Sequence, residues 1–202
     1  MYKILEKEIL SETIKLIVVE ASLVAAKAHP GQFVIVRIDE HGERIPLTIA
    51  DSDPTGGTIT LIFQEVGKST RQIGELEVGG EFANVFGPLG VPSEINKYGK
   101  VVLIGGGIGV APIYPIARAL KQAGNTVYSI LGARTKELLF WEQRMQAVSD
   151  RLIVCTDDGS YGLKALVTTP LKELLESEQD LAHAWAIGPA IMMKAVAETT
   201  RP

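Results

Sequence analysis

Residues 101–112 read Val-Val-Leu-Ile-Gly-Gly-Gly-Ile-Gly-Val-Ala-Pro. The uninterrupted apolar run at 101–104 is typical of a strand that is buried on both faces of a parallel sheet. Apolar residues then recur at helical spacing at 113, 116, 117 and 120, and Gly124 fits the position just after a helix. The stretch therefore predicts a strand, a tight glycine turn and a helix.

The residues that follow repeat this alternation of strand and helix. Further strands are predicted at 126–131, 152–156 and 184–187, with helices at 136–148, 168–176 and 189–199. Buried strands that alternate with helices favour an α/β doubly wound parallel sheet. We assign residues 98–202 to this domain.

The residues before the glycine turn follow a different pattern. Short segments of β character at 14–20, 32–39, 45–51, 58–66 and 81–86 are separated by Gly, Pro and Asp turns, with one short helix near 69–74. This spacing predicts an antiparallel β-barrel over residues 1–97. The expected fold class is a two-domain α+β chain, with the barrel first and the α/β domain second.

Composition excludes several classes of function. The chain has 202 residues, a net charge of −4 and no basic run, so nucleic acid is not an expected partner. No window approaches about 18 consecutive apolar residues, and the first residues are charged, so we expect a cytoplasmic protein with no membrane segment. A single cysteine, Cys155, and scattered histidines predict no bound metal.

The glycine turn has the chemistry of a phosphate site. Gly105, Gly106, Gly107, Ile108 and Gly109 let backbone N–H groups and the start of a helix approach an anion. The third glycine of the usual dinucleotide fingerprint is missing, and the second strand ends in Gly-Ala-Arg at 132–134 without an acidic residue. On these residues alone, a turn that merely joins strand to helix remains the alternative.

The order of barrel and nucleotide-type domain, with the strings below, resembles the ferredoxin-NADP reductase superfamily. Residues 44–48, Arg-Ile-Pro-Leu-Thr, look like its flavin-binding strand. The resemblance implies that Arg44 meets the pyrophosphate of FAD, that Pro46 and Leu47 line the flavin, and that Thr48 lies by flavin N5 as the catalytic position. A surface arginine and a hydroxyl on a strand face remain the alternative.

The string Gly67-Lys68-Ser69-Thr70 opens the predicted short helix and resembles the family's second flavin motif. The resemblance implies that these four residues bind the FAD pyrophosphate through backbone donors, hydroxyls and the lysine. A simple helix cap made by Ser69 is the alternative.

Three strings of the second domain resemble the family's pyridine-nucleotide site. They are the glycine turn, the loop Thr-Asp-Asp-Gly-Ser-Tyr-Gly at 156–162 with Asp157 and Asp158, and Gly188-Pro189, which the family places beside the nicotinamide. We expect the paired aspartates to form a turn and not a catalytic acid–base pair. The resemblance implies NAD(H), whereas Arg134 is suited to the 2′-phosphate of NADP(H), so the choice stays open.

The Gly-Pro-Leu-Gly string at 87–90 and the strings above resemble one branch of the superfamily. It holds the dihydroorotate dehydrogenase electron-transfer subunit and the small subunit of NADH-dependent reduced ferredoxin:NADP oxidoreductase, or sulfide dehydrogenase. Residues 44–51 and 186–193 look closer to the latter, and the former is the alternative.

The resemblance to this branch implies a reaction. Hydride passes between NAD(H) and FAD, and single electrons then go to a 2Fe-2S cluster, to a larger iron–sulfur flavoprotein subunit and to a ferredoxin-type carrier. The relatives hold that cluster in a C-terminal lobe with four cysteines, so we expect this chain to be a fragment without it. The alternative from another class is a non-catalytic nucleotide-binding module that senses redox state or docks a partner.

Overall fold

The computed structural model describes residues 2–201, and the chain divides into two compact units, Met1–Ser93 and Glu94–Pro202. This division lies a few residues before the predicted boundary. The first unit is a sheet of seven antiparallel strands with two helices, and the second is a sheet of five parallel strands with four α-helices. The predicted two-domain fold class is therefore confirmed.

The strands of the first unit form a nearly closed antiparallel barrel in the order β6-β1-β2-β5-β4-β3-β7. Its elements are β1 (Tyr2–Ile9), β2 (Ile14–Glu20), α1 (Ser22–Ala25), β3 (Phe33–Arg37), β4 (Ile45–Asp53), β5 (Thr58–Gln64), α2 (Lys68–Glu75), β6 (Glu81–Phe82) and β7 (Asn84–Leu89). Alternate residues of each strand face one core, in which Ile59, Leu61 and Phe63 are almost fully buried. Each such side chain contributes about 2 kcal/mol through its burial.

The strands of the second unit pair in the order β11-β10-β9-β8-β12, and every pairing is parallel. Its elements are β8 (Lys100–Gly106), α3 (Val110–Gln122), β9 (Thr126–Ala133), α4 (Glu142–Ala147), β10 (Arg151–Thr156), β11 (Leu163–Lys164), α5 (Thr168–Ser177), β12 (Leu181–Ile187) and α6 (Ala190–Thr199). The chain moves from β8 to β9 and β10, then returns to the other side of β8 as β12. The carboxyl ends of β8 and β12 therefore meet at the point where the strand order reverses.

Helices cover both faces of the parallel sheet. Val102 and Ile104 of β8 pack in one buried cluster with Leu171 and Leu174 of α5 and with Val196 of α6. The side chains of the intervening β8 residues point to the opposite face, where α3 lies against β8 and β9. The doubly wound arrangement that the apolar run predicted is therefore confirmed.

The structure differs from the sequence prediction at several places, of which β1 and the region of α4 are two. Strand β1 was not predicted, because Ile4 is its one fully buried residue and the remaining residues are mostly charged and solvated. The helix predicted over 136–148 is broken into a short 3₁₀ turn, Lys136–Leu138, and α4. The break is at Trp141, whose φ of 57° is in the left-handed region, so a continuous right-handed helix cannot pass through it.

Candidate functional site

The glycine turn lies at the carboxyl end of β8, an inner strand of the parallel sheet. Gly105 pairs with Leu131 of β9 on one side and with Ile187 of β12 on the other. Residues Gly107–Gly109 make one 3₁₀ turn that leads directly into α3. The turn therefore occupies the switch point of the sheet, where open α/β sheets bind their ligands.

Three glycines around this turn lie close to neighbouring atoms, and at Gly109 the nearest atom is a backbone carbonyl oxygen, so glycine is required there. A Cβ atom on Gly109 would lie 2.0 Å from the carbonyl oxygen of Ile187, and one on Gly106 would lie 2.3 Å from the Met192 sulfur. A Cβ on Gly188 would lie 3.0 Å from the Gly106 carbonyl oxygen. The structure thus brings together the turn and the Gly188-Pro189 segment, which the sequence treats as separate motifs.

Gly107 differs from its neighbours. Its φ of 55° favours glycine, yet no atom lies within 4 Å of the position of an added Cβ. Open space next to the first turn of a 13-residue helix leaves room for a ligand to approach the backbone. Packing explains the other glycines of the turn but gives no reason for this open space.

The loop between β10 and β11 is tied to the end of β9. The backbone N–H of Asp157 donates to the carbonyl oxygen of Ala133 at 3.0 Å, and that of Asp158 donates to the carbonyl oxygen of Arg134 at 3.2 Å. Arg134, Asp157 and Asp158 are all exposed. The structure therefore brings Arg134 and the two aspartates, which lie more than twenty residues apart, to one edge of the sheet.

Hydrogen bonds fix the conformation of that loop. The Ser160 hydroxyl donates to the Asp158 carboxylate at 2.7 Å and accepts from the backbone N–H of Lys136 at 2.9 Å. The backbone N–H of Ser160 also donates to that carboxylate at 2.9 Å, so the Ser160 bonds hold the pKa of Asp158 below its ordinary value. The Tyr161 hydroxyl donates to Glu142 at 3.1 Å, which raises the pKa of Tyr161. Sequence reasoning assigned no role to Ser160 and Tyr161, although both lie in the quoted loop string.

The predicted flavin residues of the barrel lie on and just before β4. Arg44 and Pro46 are exposed, Thr48 is half-buried, and Leu47 is buried in the barrel core. Strand alternation places Leu47 on the inner face and its two neighbours on the outer face. The Leu47 side chain is therefore a core residue, and only the backbone of this residue is free to meet a ligand.

The second predicted flavin motif opens α2. Thr70, not Ser69, makes the cap, because its hydroxyl oxygen accepts from the backbone N–H of Gly67 at 3.1 Å. The Ser69 hydroxyl instead donates to the carboxylate of Glu43, the residue before Arg44, so the chain brings the α2 start next to the start of β4. An added Cβ on Gly67 would have no atom within 4 Å, and the exposed Lys68 is the first residue of the helix.

Neither the cysteine nor the potential metal-ligating side chains among residues 2–201 give evidence of a further site. Burial raises the pKa of the Cys155 thiol to about 11, so the sulfur stays protonated at neutral pH. Among residues 2–201, no three His, Cys, Asp or Glu side chains are grouped so that they could hold a metal ion. Over the same residues, no helix is long and apolar enough to cross a membrane.

A family described as the oxidoreductase NAD-binding domain matches residues 103–198. A homologue of the dihydroorotate dehydrogenase B (NAD(+)) electron transfer subunit from Thermotoga maritima is 48% identical over 85% of this chain, and the match spans 60% of that relative's length. The corresponding subunit from Shouchella clausii is 37% identical over 89% of this chain and 70% of the relative.

Solved structures give the same relationship. One such structure is that of the NADH-dependent reduced ferredoxin-NADP oxidoreductase, in which one chain is 41% identical to this protein. The match covers all of this chain and 72% of the other chain, with a TM-score of 0.93. The ferredoxin reductase of carbazole 1,9a-dioxygenase has a TM-score of 0.82 at 19% identity, which shows a shared fold.

Proposed function

We propose, from the premise that this chain belongs to the dihydroorotate dehydrogenase B electron-transfer subunit family of the ferredoxin-NADP reductase superfamily, that it moves reducing equivalents between NAD(H) and FAD. In this proposal it acts in the cytoplasm, and its redox partner is a larger iron–sulfur flavoprotein subunit, with a ferredoxin-type carrier and a 2Fe-2S cluster outside these residues. The bound cofactors would supply the hydride chemistry.

The observation that carries the proposal is the glycine turn at the switch point of the sheet. Neighbouring glycines allow close packing, but Gly107 leaves open space beside the first turn of α3. Backbone N–H groups there, with the partial positive charge of the helix start, suit a pyrophosphate. The residues present therefore fit a dinucleotide, and Gly188-Pro189, packed against Gly106, would border its nicotinamide end.

The barrel residues fit a flavin in a similar way. Arg44 and Lys68 are exposed cations, and the open space beside Gly67 gives a phosphate access to the start of α2. The outward-facing Pro46 and Thr48 would line the flavin, and Leu47 would contribute only its backbone. In this arrangement Thr48 is the hydroxyl beside the reacting flavin nitrogen, and the protein's role is to orient and bind, with no acid or base required.

The test is to purify the protein, load it with FAD and add NADH without oxygen. We expect a yellow protein whose flavin absorbance bleaches when NADH is added. A protein that holds neither FAD nor NADH would contradict the proposal. A protein that binds both but leaves the flavin oxidised would instead support a non-catalytic sensing or docking module.

The identity of the electron acceptor is a second question. The curated relatives above are named for dihydroorotate dehydrogenase B, whereas the solved structure comes from a ferredoxin-NADP oxidoreductase. We favour the second assignment from the strings at 44–51 and 186–193. We expect the reduced protein to transfer electrons to ferredoxin. We do not expect it to transfer them to the partner enzyme that oxidises dihydroorotate.

A further inference from the structure

The choice between NAD(H) and NADP(H) depends on the end of β9. In open α/β sheets the residue at the end of the second strand meets the adenosine ribose of the dinucleotide. An acidic residue there binds the free 2′-hydroxyl, whereas an arginine accommodates a 2′-phosphate. Here that strand ends at Ala133 and is followed by Arg134, so the strand alone favours NADP(H).

A second segment changes the charge at this point. The loop 157–162, which we call the acidic loop, donates two backbone hydrogen bonds to Ala133 and Arg134. It therefore brings Asp157 and Asp158 directly beside the residue that would otherwise decide the matter. The acid missing from the end of the second strand is supplied by the end of the third.

The acidic loop is held in place before any ligand binds. The backbone N–H of Lys136 donates to the Ser160 hydroxyl, and that hydroxyl donates to the Asp158 carboxylate. The Ser160 hydroxyl therefore links the Asp158 carboxylate to the backbone of Lys136, which lies just after β9. The Ser160 bonds also lower the pKa of Asp158, so the carboxylate is ionised at neutral pH.

The local charge at this edge is negative. The exposed cations are Arg134, Lys136 and Lys164. Lys136 lies over the Tyr161 ring at 5.4 Å, and the Lys164 side chain lies beside Gly159 of the acidic loop. The carboxylates are Glu137, Glu142, Asp157 and Asp158. A 2′-phosphate would add almost two further negative charges at neutral pH, which this surface repels, whereas a ribose hydroxyl adds none.

We propose that the acidic loop sets the choice of dinucleotide, with Asp157 and Asp158 repelling the 2′-phosphate of NADP(H) so that NAD(H) is the accepted ligand. This inference rests on the proposed dinucleotide role of the glycine turn. The positive charge of Arg134 does not decide which dinucleotide binds, because the carboxylates at this edge outnumber the cations.

The test is a calorimetric titration of the purified protein with NAD+ and with NADP+. We expect the unaltered protein to bind NAD+ more than about tenfold more tightly. The double variant Asp157→Asn with Asp158→Asn keeps a side-chain oxygen to accept the Ser160 bonds but removes both charges. The ratio of its NADP+ affinity to its NAD+ affinity should rise about tenfold or more relative to the unaltered protein.

Two controls separate charge from structure. Glu176→Gln removes an equal charge from an exposed position on α5 and should leave both affinities unchanged. Because the acidic loop is exposed, the preference of the unaltered protein should also shrink as salt rises from about 0.01 M to 1 M. If the double variant folds poorly, Asp157→Asn alone should shift the preference in the same direction by a smaller factor.

The results that overturn the inference are specific. An unchanged ratio of NADP+ to NAD+ affinity in the folded charge variants overturns the role of the acidic loop and leaves the proposed function standing. Preference for NADP+ in the unaltered protein, lost in Arg134→Ala, shows that Arg134 decides and also overturns it. Failure to bind either dinucleotide removes the proposed function and this inference together.

Discussion

The starts of α2 and α3 are both candidate phosphate sites, but they are built differently. At α3, an added Cβ on Gly109 would overlap the backbone carbonyl of Ile187, so no other residue fits there, and Gly107 has open space beside it. At α2, Gly67 has space around it, and the side chains of Ser69 and Thr70 make the local hydrogen bonds. The first site is therefore made of backbone and the second of side chains, and they should respond differently to substitution.

The two units also differ in their spectroscopic probes. Both tryptophans, Trp141 and Trp185, lie in the same unit. Tryptophan fluorescence therefore reports unfolding of the α/β unit and not of the barrel.

The largest effect is expected from Gly109→Ala. Its new methyl group would overlap the backbone carbonyl of Ile187, which cannot move without disturbing the β8 and β12 pairing. We expect the α/β unit to lose about 3 kcal/mol or more of its free energy of unfolding, measured by urea titration of tryptophan fluorescence. Gly67→Ala is the matched control in the barrel, where unfolding is followed by circular dichroism because the barrel holds no tryptophan. Equal losses in the two variants would remove the contrast between the sites.

Arg44→Ala should weaken FAD binding without changing the fold. Loss of one charge-assisted contact to a pyrophosphate corresponds to about tenfold to a hundredfold in affinity. The measurement is the flavin content of the purified protein and a titration with FAD. Arg71→Ala, which removes an exposed arginine from α2 itself, is the control. Normal flavin retention by the Arg44 variant would remove Arg44 from the site.

Gly107→Ala tests the open position of the α3 site. The substitution puts a side chain in the left-handed region and should cost about 1 kcal/mol of unfolding free energy, much less than Gly109→Ala. Because the new methyl group enters the open space, we expect NAD+ affinity to fall about tenfold in titration calorimetry. A variant that loses stability but keeps full NAD+ affinity would show that this space is not used.

The smallest effect is expected from Asp150→Asn, whose cost in unfolding free energy should depend on pH. The Asp150 carboxylate accepts from Lys121 at 2.6 Å and from the backbone N–H of Val127 at 2.8 Å, and the Lys121 bond lowers its pKa. A carboxyl whose pKa is lowered on folding stabilises the native state above its ordinary pKa, and this contribution is lost as pH falls through the folded value. Since the side chain is partly exposed, Asp150→Asn should cost no more than about 1 kcal/mol at pH 7.

The cost of Asp150→Asn should shrink when unfolding is measured at a pH below the lowered pKa of the folded Asp150 carboxyl, where this carboxyl is protonated in the unaltered protein too. Urea titrations followed by tryptophan fluorescence, one at pH 7 and one at the acid pH, measure this difference in unfolding free energy. A cost that is the same at both pH values would mean that the carboxylate charge contributes nothing.

The parts of the fold that sequence predicted are those with a strong period. The apolar run of β8 and the helical spacing of α3 depend on burial of many residues, so the pattern is visible in the residues themselves. Strand β1 shows little such pattern, because it buries one residue fully, and the break at Trp141 depends on tertiary packing against Tyr114. Local pattern carries no information about such contacts.

The candidate site was predictable to a similar degree. The glycine string could be recognised from the sequence because close packing and an open backbone both favour glycine. The hydrogen bond between Ser69 and Glu43 and the link from Ser160 to Lys136 join residues that are distant along the chain. Only the fold brings these pairs together.

The most direct test is to follow backbone amide signals by NMR while NAD+ and then FAD are added to the isotope-labelled protein. We expect NAD+ to move the amide signals of Gly107, Ile108 and Gly109 and to leave those of Gly67 to Thr70 unchanged, and FAD to do the reverse. An NAD+ titration that saturates while the Gly107 amide signal stays in place would contradict the assignment of the glycine turn as the dinucleotide site.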